Sequence, residues 1–387
     1  GAKGLDDEVA AAAAPPGEGE SSEPCVVKLR RRVAAWSPEE WRDLTVKLAA
    51  RPSTLAGGGS SSPSSEPPKT DPAAAAKERS GQRPESGPLA KLAETAAKAR
   101  KAIWGEPWAL RRERIRQASP FGHYRSWRLQ TVFVKNDDDL RQELLASQII
   151  KQFSDIFRDA NLPLWLLCPE VLVTSSSSGF TSFIEDSNSI DSIKKDFTGK
   201  SLAEIFLSTF ADGLFEAKRN FIESYAAYSL VVWFLQVKDR HNGNLMMLND
   251  GHVVHIDFGF MLSNSPGGNM AFEQSPFMLT QEFLDIMGGE YSDEYEYFRT
   301  LVIRGFLEAR KQMERITLPV RMMLQGSKMP CFREGSDAVL TALQDRFFVN
   351  LTEEACIEKV IELIDTSVNN WRTITYHNIQ RLTNGIL

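Results

Sequence analysis

The residues most able to do chemistry sit close together in the chain. Asp239, Arg240, His241 and Asn244 fall within "KDRHNGN", and Asp257 and Gly259 fall in the Asp-Phe-Gly triplet that follows. Between these groups the runs "NLMML" and "HVVHID" flank Asn249-Asp250-Gly251, a pattern that predicts a β-hairpin. Such a hairpin brings Asn244, before its first strand, close to Asp257, after its second. One amide oxygen and one carboxylate are the hard ligands a Mg²⁺ ion takes while bridging the phosphates of ATP, with water completing its shell. Gly259 permits close backbone approach beside that ligand. Phosphoryl transfer asks for positioning, charge neutralisation and a group to accept the hydroxyl proton. Asp239 or His241 can be that group, and the residues leave both open. Asp239-Arg240-His241 is the reverse of the His-Arg-Asp triplet of protein kinases. His252 and His255, within the hairpin, read as structural rather than as ligands.

The elements that position these residues are also legible. Residues 129–135, "LQTVFVK", predict a strand ending in Lys135. An amphipathic helix follows, with Leu140, Leu144, Ile150, Phe153 and Phe157 at helical spacing and Asp139 as its expected N-cap. "EVLVTS" and "FTSFIED" predict two short strands around a serine-rich turn. Ahead of them lies "EPWALRRERIRQA", expected as a helix, and then "SPFGHYRSW". From Leu202 the pattern is helical, apart from the hairpin, to the end. A small strand-containing lobe followed by a larger helical lobe predicts an α+β, bilobal architecture with a ligand in the cleft. Residues 104–190 are the expected small lobe and 191–387 the expected large lobe.

The first hundred residues differ in composition. Ala-, Gly-, Ser- and Pro-rich runs such as "STLAGGGSSSPSSEPPKTDPAAAAK" offer little apolar surface to offset the entropy of ordering them. Residues 1–103 are expected to be largely disordered, with one candidate ordered segment near residues 25–50, where Ser37 and Glu40 have capping-box spacing. The net charge of −6 over 387 residues argues against a nucleic-acid partner bound by bulk charge. The basic run "KLRRR" reads as a solvated edge or, less simply, a membrane-surface contact. Four scattered cysteines, Cys25, Cys168, Cys331 and Cys356, fit reduced thiols in a cytoplasmic protein. The acidic start has no apolar core of a secretory leader, and "YAAYSLVVWFLQV" is too short to span a bilayer.

Taken together, "SPFGHYRSWRLQTVFVKNDDDLRQELL", "FLQVKDRHNGN", "HVVHIDFGFMLSNSP", "LTQEFLDIMGG" and "RLTNGIL" resemble the catalytic domain of phosphatidylinositol 3-/4-kinases, most of all the type III beta 4-kinases. The resemblance runs from about Glu106 to Leu387, and in that family Asp-Arg-His is the normal order. It implies a protein-kinase-like fold that uses ATP and Mg²⁺, with Mn²⁺ as an alternative ion. It also implies transfer of the γ-phosphate to the 4-hydroxyl of phosphatidylinositol at a membrane surface. By matching motif, Lys135 contacts the ATP phosphates. Ser119, Pro120, Phe121, Gly122 and His123 form a lid. Backbone groups near Ser182 and Ile184 pair with adenine. Asp239, Arg240 and His241 act at the transferred phosphate, and Asn244 with Asp257 binds the metal. A monomeric catalytic domain, peripheral to a Golgi-like membrane, is the corresponding expectation; regulatory partners are left open. The family's helical solenoid has no counterpart in the sequence, and its first small-lobe strands have only "CVVKLRRRVAAW" as a candidate.

Competing readings are a protein kinase of the related lipid-kinase-like class and an inactive, scaffolding kinase-like fragment. Two further features bear on the substrate. The segment "FGFMLSNSPGGNMAFEQSPFMLTQE" contains no lysine or arginine, while Glu273 and Glu282 oppose anions. A headgroup already carrying phosphates is held by charge-assisted hydrogen bonds from such residues, so unphosphorylated phosphatidylinositol is the expected substrate. At the end of the chain, Trp371, Ile374, Ile379 and Leu382 gather on one side of an expected amphipathic helix, with Arg372 and Arg381 nearby. That is the mixture an interfacial helix needs.

Overall fold

The structure is a computed structural model that describes residues 88–136, 139–266 and 275–387. The candidate segment at residues 25–50, with Ser37 and Glu40, lies outside the described residues, as do the low-complexity runs before residue 88. All the described residues belong to one compact unit.

Two small antiparallel sheets carry the β structure. The first contains β1 (Val132–Asn136), β2 (Val171–Ser175) and β3 (Ser178–Ser182) in the order β1-β3-β2, with Lys135 opposite Gly179. The second contains β4 (Ser187–Ser189), β5 (Leu245–Leu248) and β6 (Val253–His255) in the order β4-β5-β6, with Leu245 opposite His255. The β5–β6 hairpin is the one predicted from sequence. Its turn is closed by Gly251 N–H donating to Leu248 O at 3.0 Å. Gly251 has φ +94°, and an added Cβ would lie 2.6 Å from Ala217 O, so glycine is required there on two counts. The predicted strand "FTSFIED" starts earlier than expected and ends at Ser182, because Phe183 and Ile184 leave the sheet to line a cavity.

Twelve α-helices are described. α1 (Pro88–Trp104) and α2 (Trp108–Ala118) precede β1, and α3 (Arg141–Asp159) joins β1 to β2. α4 (Ile190–Asp196), α5 (Leu202–Thr209) and α6 (Leu214–Leu235) lead to the hairpin. After it come α7 (Gln281–Met287), α8 (Asp293–Lys311), α9 (Met313–Leu324), α10 (Ser336–Asp345), α11 (Glu353–Ser367) and α12 (Trp371–Asn384). α6 is the spine. Its residues from Ser224 to Val232 are all buried, and Phe234 packs against Phe306 of α8 at 4.9 Å and Phe347 at 4.3 Å between ring centroids. A helix apolar on every side belongs in the middle of a helical layer, which is where "YAAYSLVVWFL" lies. Among the described residues no helix is long and apolar enough to cross a membrane.

Two expectations need correction. The low-complexity stretch does not reach residue 103, because Pro88–Trp104 is helical. Its alanines favour helix, and tertiary contacts hold it: Ala96 and Ile103 are buried, Arg100 pairs with Asp212 at 2.5 Å, and Trp104 Nε1 donates to Met247 O at 3.0 Å. The N-cap of α3 is Leu140, not Asp139. The Asp139 carboxylate still accepts the Arg141 N–H at 3.2 Å and the Arg141 guanidinium at 2.6 Å, so it serves the helix start from one residue further out.

Candidate active site

A cavity of about 330 Å³ opens between the two sheets. Phe133, Val171 and Thr181 line it from the first sheet, Met246 and His255 from the second, and Ile256 and Phe258 from the segment after β6. Lys135, Glu143, Ser182, Ile184, Asn244 and Asp257 also face it. Most of the wall is apolar, as an adenine ring requires, and the charged side chains in it are Lys135, Glu143 and Asp257.

In this wall Lys135 forms an ion pair with Glu143, and both side chains are largely shielded. Glu143 lies in the first turn of α3, eight residues after Lys135. Sequence reasoning passed over it; its signal was a carboxylate one turn into the helix that follows the lysine strand. Its neighbour Gln142 was missed too. Gln142 Nε2 donates to the carbonyls of Phe258 and Gly259, at 2.9 and 2.6 Å, and its Oε1 accepts the Cys331 N–H at 3.2 Å. The start of α3 therefore holds the lysine and the Asp-Phe-Gly backbone together.

Asp257 is exposed to the cavity and has φ +58°, a left-handed conformation that a non-glycine residue keeps only when its surroundings impose it. Asp257 Oδ1 accepts the Gly259 N–H at 3.1 Å, and a Cβ on Gly259 would crowd that same oxygen at 3.1 Å. Asn244 lines the cavity, and its Nδ2 donates to Asp239 O at 2.9 Å, which engages the amide nitrogen and leaves Oδ1 as the side chain's acceptor. The donor set that results, Asn244 Oδ1 and the second oxygen of Asp257, suits a hard divalent cation that retains water. Among the described residues no cluster of three or more His, Cys, Asp or Glu could hold a metal. An ion here would complete its shell with phosphate oxygens.

The catalytic-loop residues divide by role. Asp239 also has a positive φ, +62°. Its Oδ1 accepts Tyr376 Oη and Gln380 Nε2, the latter at 3.3 Å, and lies 3.6 Å from His241 Nε2. His241 Nδ1 accepts the Gly243 N–H at 3.1 Å, so in the neutral ring the hydrogen sits on Nε2, facing Asp239. Burial, with Arg240 adding to it, lowers the His241 pKa, while Asp239 and Asp257 oppose the shift. Arg240 is placed otherwise than expected. Its guanidinium donates to the backbone carbonyls of Lys238, Ile256 and Asp257 and stacks over Phe258 at 5.9 Å. It clamps the loop that carries Asp239 to the segment that carries Asp257 and is not in the cavity wall. His255 is buried against Tyr228, with ring centroids 4.8 Å apart, and burial holds its pKa well down.

The adenine and lid assignments shift as well. Ser182 and Ile184 both line the cavity, but the Ser182 N–H donates to Glu170 O at 2.9 Å. Ser119, Pro120, Phe121, Gly122 and His123 follow α2 and do not line the cavity. Gly122 is packed back on that helix, its carbonyl accepting Arg116 Nε at 2.9 Å, and Phe121 is 64 % exposed.

α12 lies against the catalytic loop. Thr373, Tyr376, His377 and Gln380 form its inner face, and beyond it Leu387 O accepts Asn242 Nδ2 at 2.6 Å. Trp371, Ile374, Ile379 and Leu382 are exposed on the opposite face, 66, 44, 41 and 86 % respectively. After Asp257, Met261, Leu262, Phe277 and Met278 are buried in the helical layer, and Glu282 pairs with Lys194 at 2.7 Å. Met270, Phe272 and Glu273 lie outside the described residues.

Comparison with known proteins agrees with this geometry. The profile of the family described as phosphatidylinositol 3- and 4-kinase matches residues 130–332, more than half of the chain. The chain belongs to the phosphatidylinositol 3- and 4-kinase family. The two sheets and the helical layer are accordingly the bilobal, protein-kinase-like α+β fold of that family. Phosphatidylinositol 4-kinase beta 1 of Arabidopsis thaliana is 49 % identical over 294 residues, which cover 74 % of this chain and 26 % of that protein. A phosphatidylinositol 4-kinase of Dictyostelium discoideum is 46 % identical over 288 residues, 73 % of this chain and 24 % of that protein. Phosphatidylinositol 4-kinase beta of Xenopus laevis is 44 % identical over 286 residues, 73 % and 35 % respectively. The chain thus spans between 24 and 35 % of the length of these curated relatives.

Proposed function

We propose that the chain is the catalytic part of a phosphatidylinositol 4-kinase, which moves the γ-phosphate of ATP to the 4-hydroxyl of phosphatidylinositol. The observation that carries this reading is that the Lys135–Glu143 pair, Asn244 and Asp257 line one largely apolar cavity, with Asp239, whose backbone carbonyl accepts from Asn244, and His241 on the adjoining loop. The names of the relatives supply the lipid and the 4-position. Residues 104–190 and 191–387 act as the two lobes, with the nucleotide between them.

Lys135, steadied by Glu143, neutralises ATP phosphate oxygens. The Ile184 N–H is the hinge donor to adenine, since that of Ser182 is already engaged within the sheet. Ser119, Pro120, Phe121, Gly122 and His123 serve as a lid only by moving toward the cavity. Asn244 Oδ1 and Asp257 would hold Mg²⁺, or Mn²⁺ in its place; a bound ion supplies charge neutralisation at the phosphates. Asp239 accepts the proton of the attacking hydroxyl, because the hydrogen on His241 Nε2 suits that ring to donate to the transferred phosphoryl group. Arg240 holds the two loops in register without touching the phosphate. The exposed face of α12 meets the membrane, with Trp371 and Leu382 at the interface and Arg372 beside them, as a peripheral contact of a monomeric domain.

A competition on mixed vesicles with Mg²⁺-ATP tests the reading. Phosphatidylinositol should be phosphorylated in preference to bisphosphorylated lipid, with headgroup analysis placing the label at the 4-position. Preference for the bisphosphorylated lipid overturns the charge argument, and label at the 3-position overturns the assignment within the family. Removing the chain after Asp365 should cost vesicle phosphorylation more than ATP binding; equal activity overturns the membrane role of α12.

A further inference from the structure

A second cavity, of about 180 Å³, shares no lining residue with the nucleotide cavity. Lys238, the residue before Asp239, forms one wall, and Arg346, just past α10, forms another. Ser263, Asn264 and Ser265 close it from the segment that follows Asp-Phe-Gly. Arg346 Nη1 donates to the carbonyl of Phe234 at 2.9 Å. Among the described residues Arg346 has no carboxylate partner at ion-pair distance; Asp345 and Glu334 act on it only through their fields. Burial brings its pKa down to about 10, so it stays charged at neutral pH. A partly desolvated guanidinium facing a cavity that also presents Lys238 and the Ser263, Asn264 and Ser265 side chains is suited to a phosphate. Glu334 is the one acid in the lining, and it lies at the exposed rim.

The sequence supplies a phosphate acceptor at the same place. Ser265 is followed by Pro266, the dipeptide that proline-directed serine/threonine kinases modify, and Ser265 is half-buried in the wall of this cavity. Its reach is short because the segment is anchored at its root. Lys238 N–H donates to Phe260 O at 2.9 Å, Leu262 N–H donates to Leu235 O at 2.7 Å, and Ser263 Oγ donates to Cys331 O at 2.8 Å. A phosphate on Ser265 therefore stays beside Lys238 and Arg346.

We propose that Ser265 is a phosphorylation site whose phosphate monoester docks in this cavity against Arg346 and Lys238, fixing the root of the segment that follows Asp-Phe-Gly. In the modifying step Ser265 Oγ attacks the γ-phosphorus of ATP held by a proline-directed protein kinase. The bond to the ADP oxygen breaks, ADP leaves, and the hydroxyl proton passes to that kinase's base. The docked group adds a charge of about −1.5 to −2 and up to three acceptor oxygens. The inference does not depend on which lipid the nucleotide site serves, and failure of the vesicle competition leaves it intact.

The test treats the purified chain with a proline-directed serine/threonine kinase and ATP, maps the product by peptide mass, and follows the phosphoserine by ³¹P NMR against pH. One phosphate should map to Ser265 and be absent from Ser265→Ala. Its second ionisation should fall below the usual value of about 6 by roughly one pH unit, a tenfold preference for the dianion. Arg346→Gln should return it toward that usual value, with a thermal melt reporting the fold of the variant. Glu334→Gln, on the exposed rim, should lower it further. No phosphate on Ser265 overturns the modification. A phosphoserine that titrates at the ordinary value and responds to neither substitution overturns the docking.

Discussion

The two three-stranded sheets are both antiparallel but differ in how far their aliphatic side chains are buried. In β1, Val132, Phe133 and Val134 are 56, 52 and 63 % exposed, whereas in β5 and β6 Leu245, Met247, Val253 and Val254 are at most 3 % exposed. Each fully buried side chain of that kind contributes about 1.5–3 kcal/mol. The second sheet is therefore held by the helical layer, and with it the spacing of Asn244 and Asp257. The first sheet is held more by its ladders and by the Lys135–Glu143 pair. On the proposed function the difference separates two tasks: the groups assigned to metal and transfer are built in advance, while the wall assigned to the nucleotide keeps freedom to adapt.

The sharpest way to break that comparison is at the preformed end. Asp257→Ala should lower phosphoryl transfer by about 10²–10³-fold or more, with circular dichroism and melting close to the parent, since the side chain lies outside the core. Near-parental turnover would remove Asp257 from the mechanism. Next comes the clamp. Arg240→Met leaves three buried or half-buried carbonyls without their donor and should cost about 2–4 kcal/mol in chemical denaturation. An unchanged midpoint would show that the loops hold their register without it.

A third test uses pH. Burial brings the pKa of His377, on the inner face of α12, down to about 4, against about 6.5 in an unfolded chain. Between those values the unfolded chain takes up a proton that the folded one refuses. Stability is full above pH of about 6.5 and falls by about 2–3 kcal/mol as pH drops toward 4. Denaturation at pH 7 and pH 4.5 should show this loss in the parent and a smaller one in His377→Gln. Equal losses would place the acid sensitivity elsewhere. The gentlest test compares the sheets themselves: Val254→Ala should cost about 1–3 kcal/mol and Val134→Ala within about 0.5 kcal/mol. Equal costs would mean that both sheets are load-sharing parts of one core.

Much of the site was legible because its residues are local in the chain. Asn244 and Asp257 are bracketed by a hairpin whose turn residues announce it, so their proximity follows from strand pairing alone. Asp239, His241 and Lys135 were legible by type and by the elements next to them. Glu143 and Gln142 were harder to see, as helix residues that take their roles by packing under a distant loop. Arg240 had the right charge for a phosphate, and only the carbonyls around it reveal that its donors are already used. The lid assignment carried a motif to Ser119, Pro120, Phe121, Gly122 and His123, but their position depends on Gly122 folding back onto α2.

The sequence by itself determined the hairpin, the buried spine of α6, the polar groups proposed for phosphoryl transfer and the amphipathic character of α12. These follow from periodicity and turn chemistry over a few residues. Tertiary structure decided what no local pattern contains: that α1 is an ordered, docked helix, that Gln142 supports the Asp-Phe-Gly backbone, and that Tyr376 and Gln380 reach Asp239 from more than a hundred residues away. The reason is that a polar side chain takes whatever partner the packing of apolar faces presents to it. That packing is settled by contacts across the whole chain.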